Sequence, residues 1–254
     1  MIIALDPVVR IECRKAWRAP VSRIGAVAAL ALVSLTSIGG YAAALHSPGS
    51  DFGRKAAAMI SADGWDGYVG LAALSLGVTV LLSAGIVISW TVGREFTDGT
   101  VGGLFAIPTR LGTVACAKLT ACLCWGAALV LVQGTVSVLG GIALGLPPGG
   151  AFGCWLTLLA AGISIVFSAL PAAWVATRWR GYLAGIGATL AIVVATNIAA
   201  GFGVGEYIPW AIPFLWATPG LGLPTGALSA PVVIGLAGVW ATYRCWSHLQ
   251  LGRR

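Results

Sequence analysis

Charged side chains are scarce in this sequence. Asp, Glu, Lys and Arg together make up 9% of its 254 residues, whereas a soluble domain carries about 25%. Apolar side chains account for 58%, and the mean hydropathy is +0.93. A water-exposed surface needs charge to stay dispersed, so this composition excludes a soluble globular protein. The absence of low-complexity tracts and heptad repeats excludes disordered, collagen-like and coiled-coil proteins.

Groups that bind metals or relay protons are also scarce. The only two histidines, His46 and His248, each lie at a predicted membrane boundary, so no pair can hold a haem or a catalytic zinc within the bilayer. The six cysteines lie within or at the ends of apolar segments, which favours small hydrophobic residues over metal ligands. None of the three lysines has the glycine spacing of a phosphate-binding P-loop. We therefore predict no metal, no cofactor and no catalytic residue in this chain.

Long uncharged runs dominate what is present. About 20 apolar residues cross about 30 Å of hydrocarbon as a helix. No Asp, Glu, Lys or Arg falls in the middle of such a run, which disfavours ion-coupled transport. We predict an all-α membrane protein whose first five spans are residues 24–45, 68–92, 119–144, 152–175 and 182–200.

The last uncharged run is interrupted by proline. Pro209, Pro213, Pro219 and Pro224 fall in its first half, and proline at that density leaves backbone groups unpaired in a lipid-facing helix. We therefore divide the run. Residues 207–225 are predicted to form an extracellular re-entrant or interfacial segment, with Trp210 among its residues at headgroup level. Residues 226–245 form the sixth span.

The distribution of positive charge predicts the orientation. Of the 15 Lys and Arg, 13 lie in segments that this topology places on one side, whereas Arg54 and Lys55 lie on the other. Cytoplasmic loops carry the excess of Lys and Arg, so both termini are predicted to be cytoplasmic. This bias accounts for most of the net charge of +7 and leaves no need for a nucleic-acid partner. The six-span domain covers residues 24–245, and residues 246–254 form a cytoplasmic tail.

Residues 1–23 are predicted to contain an amphipathic helix on the cytoplasmic leaflet. Asp6 and Pro7 are typical of a helix start, and Pro20 of a helix stop. Between them, Arg10, Arg14 and Arg18 recur on one face, and apolar residues line another. Such a helix either anchors the first span or contacts a cytoplasmic partner.

The segment between spans two and three, residues 93–110, is longer than a connector of two to eight residues requires. Asp98 and Thr100 are candidate helix caps, and Gly99 allows a sharp bend. Beyond them, Leu104, Phe105 and Ile107 provide an apolar surface just outside the membrane, where it favours a protein partner.

This segment resembles the type-2 ATP-binding-cassette (ABC) permeases, the membrane subunits of many bacterial exporters. Members share six helices, an amphipathic N-terminal helix, and a cytoplasmic pattern of Arg-Glu, Gly-Thr, Leu, Pro, Arg and Lys after helix two. Arg110 departs from the pattern because it follows the proline by two residues rather than about three. The residues that match are Arg94, Glu95, Gly99, Thr100, Leu104, Pro108 and Lys118.

The resemblance implies that residues 93–108 form a coupling helix that docks into a partner ATPase and transmits its movement. A plainer alternative is that Glu95 only pairs with Arg94 or Arg110 at a solvated surface. The coupling residues are predicted to be Gly93, Arg94, Glu95, Asp98, Gly99, Thr100, Leu104 and Pro108.

The same resemblance implies a complex in which ATP and Mg²⁺ are bound by two ATPase subunits, not by this chain. A second permease subunit, identical or related, completes the transporter in the bacterial cytoplasmic membrane, with lipid around it. The expected cargo is hydrophobic or amphipathic, such as an antimicrobial peptide or a drug. Alternatives are export of a lipid or glycoconjugate, and a non-transporting scaffold or sensor that recruits a cytoplasmic partner.

Polar residues within apolar spans are candidates for the transport path. Each has a structural alternative, and for Gln133 and Asn197 this is a hydrogen bond to a neighbouring helix. The candidates are Ser83, Ser89, Thr91, Gln133 and Asn197.

Overall fold

A computed structural model describes residues 5–106 and 108–250 of the chain, and every regular element in that part is helical. Six helical segments are long and apolar enough to cross a membrane, which confirms the predicted number of spans. Most extend beyond the predicted bounds because polar residues at their ends continue the helix. The segments are Pro20–His46, Gly64–Thr97, Leu111–Ala143, Pro148–Arg178, Tyr182–Gly201 and Thr225–Ser247.

Several spans consist of more than one helical element. Span one has a π-helical stretch, Leu35–Gly39, between two α-helices, and spans four and six each begin with a 3₁₀ turn. The α-helices of the spans are α2 (Pro20–Ser34), α3 (Gly40–His46), α5 (Gly64–Thr97), α7 (Leu111–Ala143), α8 (Ala151–Ser168), α9 (Pro171–Arg178), α10 (Tyr182–Gly201) and α12 (Ser229–Ser247). Those outside the spans are α1 (Leu5–Arg18), α4 (Asp51–Met59), α6 (Val101–Leu104) and α11 (Ile212–Ala217).

Helix α5 is the centre of the bundle. It packs against α2, α7, α8, α9 and α10, and its side chains Leu76, Val80 and Ile88 are fully buried. Glycines allow the neighbours to approach closely. A Cβ at Gly85 would lie 2.2 Å from the side chain of Thr189 on α10. Small residues are common at helix contacts in membranes for this reason.

Span four is broken between α8 and α9. Pro171 has no backbone N–H and starts the second helix, so the carbonyl of Ser168 has no helical donor. The indole of Trp210 donates to that carbonyl at 2.8 Å. Gly235 and Gly238 of α12 lie against the break, where a Cβ would approach the backbone of Phe167 or Pro171 within 2.6 Å.

The proline-rich segment 207–225 contains the short helix α11, which packs against α5 and α8. Phe214 is buried there against Gly77 of α5. Trp210, predicted at headgroup level, makes its hydrogen bond within the helix bundle. Entry of this segment into the membrane stays a prediction, as does the side on which the termini lie.

The N-terminal helix α1 packs along α7. It is helical from Leu5, so Asp6 lies within the helix rather than at its cap. Pro20 starts α2 and does not extend α1, in agreement with the predicted stop. Glu12 and Ala16 are buried, whereas Trp17 is half exposed. One face of this helix is therefore held by protein and not by lipid alone.

Candidate coupling site

The segment predicted as one coupling helix is not one helix. Helix α5 continues through Thr97, so Gly93, Arg94 and Glu95 belong to the end of span two. Gly99 has a φ of +70°, as the predicted bend requires. Only Val101–Leu104 are helical beyond it. The prediction of a helix over 93–108 was wrong because the bend interrupts it and because Gly102 and Gly103 disfavour a long helix beyond the bend.

Gly93 has a packing role. A Cβ at this position would lie 2.4 Å from the backbone nitrogen of Tyr182, at the start of α10. No side chain larger than hydrogen fits without moving α10. Gly93 therefore allows the end of span two and the start of span five to meet.

A buried network of charged groups joins three helices at this end of the bundle. The Nζ of Lys118, on α7, lies 2.8 Å from Oε1 of Glu95 on α5 and 2.9 Å from Oε2 of Glu12 on α1. The side chain of Lys118 is 2% exposed, and those of Glu95 and Glu12 are 8% and 5% exposed. Charges buried this deeply are stable only when they are paired and hydrogen-bonded.

The network extends to the loop and to the surface. The hydroxyl of Thr100 donates to Oε2 of Glu95 at 2.5 Å. Lys15, which is half exposed, donates to Oε1 of Glu12 at 2.7 Å. Glu95 thus uses one oxygen for α7 and the other for the loop that begins at Gly99. These contacts make the bend and the helix ends one connected unit.

The plainer alternative for Glu95 is wrong. Its hydrogen-bond partners are Lys118 and Thr100, and it is buried rather than solvated. The guanidinium of Arg94 instead lies over the ring of Trp90, 4.6 Å from its centroid. Arg110 occupies the N-cap position of α7.

Of the two predicted caps, Asp98 ends a helix and Thr100 makes no capping hydrogen bond. Asp98 ends α5 with its backbone N–H, which donates to the carbonyl of Arg94 at 2.8 Å. Thr100 occupies the N-cap position of α6 but makes no capping bond, because its hydroxyl is directed to Glu95. The prediction of a side-chain cap at Thr100 was therefore wrong.

The tip of the loop is only partly apolar on its surface. Leu104 is half-buried against the hydrophobic core, and Phe105 is half-buried beside it. Pro108 is exposed. Ile107, the third residue of the predicted apolar surface, lies outside the described residues. Among the described residues of this tip, Phe105 and the exposed parts of the loop are left to meet a partner.

The five candidates for the transport path lie in different surroundings. Ser83 lines an apolar cavity of about 290 Å³ between α2 and α5, opposite Gly25. Ser89 faces Gly185 of α10, and Thr91 is buried within the bundle. The hydroxyls of Ser83 and Ser89 have no hydrogen-bond partner in the described part of the chain.

The two amides differ from one another. Gln133 is buried, and its Nε2 donates to Ser137 at 3.2 Å and across to Ser34 of α2 at 3.5 Å. Asn197 is exposed and donates to the carbonyl of Val193 in its own helix at 2.8 Å. Gln133 therefore makes a hydrogen bond to a neighbouring helix, which was the predicted alternative to a role in the transport path. Asn197 does not, and it lies on an outer face of the domain.

Sequence reasoning missed Glu12 and assigned no role to Lys118 beyond its match to the pattern. For Glu12, the sequence did contain a signal. Glu12 shares the helical face of Val9, Cys13 and Ala16, so it is an acidic residue among the apolar ones. A carboxylate on that face requires a buried cation as partner, and Lys118 supplies it.

Comparison with known families agrees with this architecture. A family model described as "ABC-2 family transporter protein" matches residues 8–196, which include α1 from Val8 onward, the buried network and the first five spans up to the last turn and a half of α10. The chain belongs to the ABC-2 transporter family. A search among curated proteins gives no match. Membership confirms the resemblance to type-2 ABC permeases, a class of multi-pass membrane transport components that work with ABC ATPase subunits.

Proposed function

We propose that this chain is the permease subunit of an ATP-driven exporter in the bacterial cytoplasmic membrane. Two ABC ATPases bind ATP and Mg²⁺ and drive the movement, and a second permease, identical or related, completes the path. The cargo is a hydrophobic or amphipathic molecule such as an antimicrobial peptide or a drug. Family membership supports the class of protein, and the absence of charge from the middle of the spans supports an apolar cargo.

The observation that carries the coupling mechanism is the Lys118 network. The loop that begins at Gly99 is held to Glu95 through Thr100, and Glu95 lies in the last turn of a continuous helix of 34 residues. Lys118 connects the same point to α7 and α1. A force applied to the loop by an ATPase would thus reach three helices at once, as movement of rigid elements requires.

The outer faces of the domain leave room for a second permease. Spans one, five and six expose large apolar side chains, whereas spans two, three and four are mostly buried. Lipid covers such faces in a monomer, and a second lobe covers part of them in a dimer. We place the cargo path between the two lobes, with the segment 207–225 as its extracellular lid.

The coupling proposal is tested by Glu95→Ala in the complex with its ATPase, reconstituted in liposomes. The substitution removes both the tie to the loop and the tie to α7, but Lys118 keeps Glu12 at 2.9 Å, so the bundle retains a balanced ion pair. We expect cargo-stimulated ATP hydrolysis to fall to the basal rate while membrane insertion is unchanged.

The matched control is Glu206→Ala, which removes an exposed carboxylate from the loop after span five. Cargo should stimulate ATP hydrolysis in this variant as it does in the wild type. Stimulation that survives Glu95→Ala would overturn the coupling role of the network. If no P-loop ATPase copurifies with the wild-type chain, the scaffold or sensor alternative takes the place of the exporter. Stimulation by lipids or glycoconjugates, and not by peptides or drugs, would support the other cargo class.

A further inference from the structure

Besides the apolar cavity beside Ser83, the bundle has a polar cavity at the same end as the Lys118 network. It has a volume of about 400 Å³ and lies between the end of α9 and the residues just after α12. Trp246 of α12 places it near the network, because its indole donates to Thr177 of α9 at 3.0 Å and its ring packs against Phe96 of α5. The coupling mechanism does not use this cavity.

The lining of the cavity is basic. Arg178 and Arg180 contribute guanidinium groups, His248 contributes an imidazole, and Gln250 adds an amide. None of the described residues that line it is acidic. Arg178 and Arg180 both line this cavity, and guanidinium groups provide the planar donors that bind phosphate oxygens in pairs.

The backbone at Arg180 is unusual. Helix α9 ends in a pair of hydrogen bonds, from Gly181 to the carbonyl of Ala176 and from Arg180 to the carbonyl of Thr177. This ending places Arg180 at a φ of +52°, a conformation that favours glycine or asparagine. A long charged side chain occupies the position at a steric cost, and such costs occur mainly where a side chain has a function.

The cavity lies at the depth of lipid headgroups. Arg178 is the last residue of span four, and His248 comes directly after span six. Beside it, Trp179 is 61% exposed and Trp174 is 37% exposed. Exposed tryptophans are typical of the membrane interface, where an indole ring contacts both lipid tails and headgroups.

We propose that this cavity binds the phosphate of an anionic lipid headgroup, with Arg178 and Arg180 as its principal ligands. Basic cavities between transmembrane helices bind phosphate-containing headgroups in this way. The exposed tryptophans at its edge favour a lipid, whose acyl chains remain in the bilayer, over free phosphate. The proposal depends on membrane insertion and not on export.

The test compares lipid binding to the purified chain by native mass spectrometry, with phosphatidylglycerol and phosphatidylcholine as probes. We expect preferential binding of phosphatidylglycerol. Each arginine near the headgroups contributes about 1 kcal/mol, which is about fivefold in affinity. Arg178→Gln together with Arg180→Gly should therefore weaken phosphatidylglycerol binding about 25-fold and leave phosphatidylcholine binding unchanged.

Two controls separate binding from folding. Arg180→Gly relaxes the backbone at a positive φ, so the unfolding temperature should stay the same or rise in this variant. Arg244→Gln removes a guanidinium from the same end of the bundle, where it lies over Trp240 and outside the cavity. Normal phosphatidylglycerol binding by Arg244→Gln supports the site, and an equal loss overturns it.

Inorganic phosphate distinguishes the two sources of the ligand. Phosphatidylglycerol that remains bound in millimolar phosphate supports a lipid site. Displacement at that concentration overturns the lipid assignment in favour of free phosphate. Wild-type binding by the double arginine variant overturns the site altogether. The measurement uses no ATPase, so its failure and the failure of the export proposal are distinguishable.

Discussion

At the scale of single residues, the buried network depends most on Lys118. One buried ammonium is paired with two carboxylates, and Lys15 contacts Glu12 from the surface. Loss of either carboxylate leaves a pair, whereas loss of the ammonium leaves Glu95 without a cation within hydrogen-bonding distance. The three substitutions are therefore not equivalent.

We expect Lys118→Met to lower the free energy of unfolding by about 3–5 kcal/mol, since it leaves buried charge without compensation. Glu12→Gln should cost less because Lys118 and Glu95 remain paired. Removal of all three charges, as Lys118→Met with Glu12→Gln and Glu95→Gln, should restore part of the loss. Denaturant unfolding in detergent measures each value. A Lys118→Met variant no less stable than Glu206→Gln would contradict the burial of the pair.

At the scale of helices, the contact between α5 and α10 depends on close backbone approach. Gly93 lies where a Cβ would fall 2.4 Å from the nitrogen of Tyr182. On α10 itself, Gly187 has no neighbouring atom within 4 Å of an added Cβ. The two glycines form a matched pair, one at a contact and one on an open face.

Gly93→Ala should lower the unfolding temperature, because α10 has to move away from the end of span two. A loss of about 1–3 kcal/mol is typical when atoms are forced into a packed contact. Gly187→Ala should raise stability slightly, because alanine favours a helix more than glycine does. Thermal unfolding in detergent provides the comparison. Equal unfolding temperatures of the two variants would mean that α5 and α10 do not meet at Gly93.

The packing of α1 on α7 also brings two thiols together. Cys13 of α1 lies close enough to Cys124 of α7 for the two thiols to interact. Burial, with a smaller contribution from Cys124, raises the pKa of Cys13 above its ordinary value of 9.0. At neutral pH this thiol is therefore less often in the reactive thiolate form than an exposed cysteine is.

In a variant with the other four cysteines replaced by alanine, we expect copper phenanthroline to form a disulfide between Cys13 and Cys124. The rate should increase as the pH rises from 7 towards 9, because the thiolate fraction of Cys13 increases. A shift in gel mobility after proteolysis between α1 and α7 measures the bond. Absence of the bond at any pH would show that α1 is not held along span three.

At the scale of the whole molecule, the orientation rests on positive charge. Of the 13 Lys and Arg among the described residues, 11 fall on the side of the Lys118 network, and Arg54 and Lys55 fall on the other. Helix α4, which carries those two residues, begins at a cap where Ser50 accepts from the N–H of Gly53. The two ends of the molecule therefore differ in charge and offer distinct labelling sites.

We expect Gly49→Cys in a cysteine-free chain to react with an impermeant maleimide in intact cells. Thr109→Cys should react only after the membrane is made permeable, because the loop it belongs to is predicted to be cytoplasmic. Labelling and then gel fluorescence measure both. Reaction of Thr109→Cys in intact cells would show that the coupling segment lies outside the cytoplasm. That result would contradict the proposed transporter function.

The sequence by itself determined that this is a membrane protein with six membrane-spanning segments. Hydrocarbon excludes charge and requires every backbone group to be paired within the helix, so length and composition are sufficient to locate a span. The motif after span two was equally local, and the family resemblance that it indicated was confirmed by the match to the family model. The predicted coupling helix failed at Gly99 because one backbone angle decides whether a helix continues.

Only the tertiary structure decided what the charged residues do. Glu12 and Lys118 are 106 residues apart, and Glu95 meets Lys118 across a bend. Sequence periodicity does not predict such a pairing, because the pairing arises when packed helices exclude water and leave each charge few available partners. The same reason applies to Arg178, Arg180 and His248, which lie at the ends of spans four and six in the sequence and line one cavity in the folded chain.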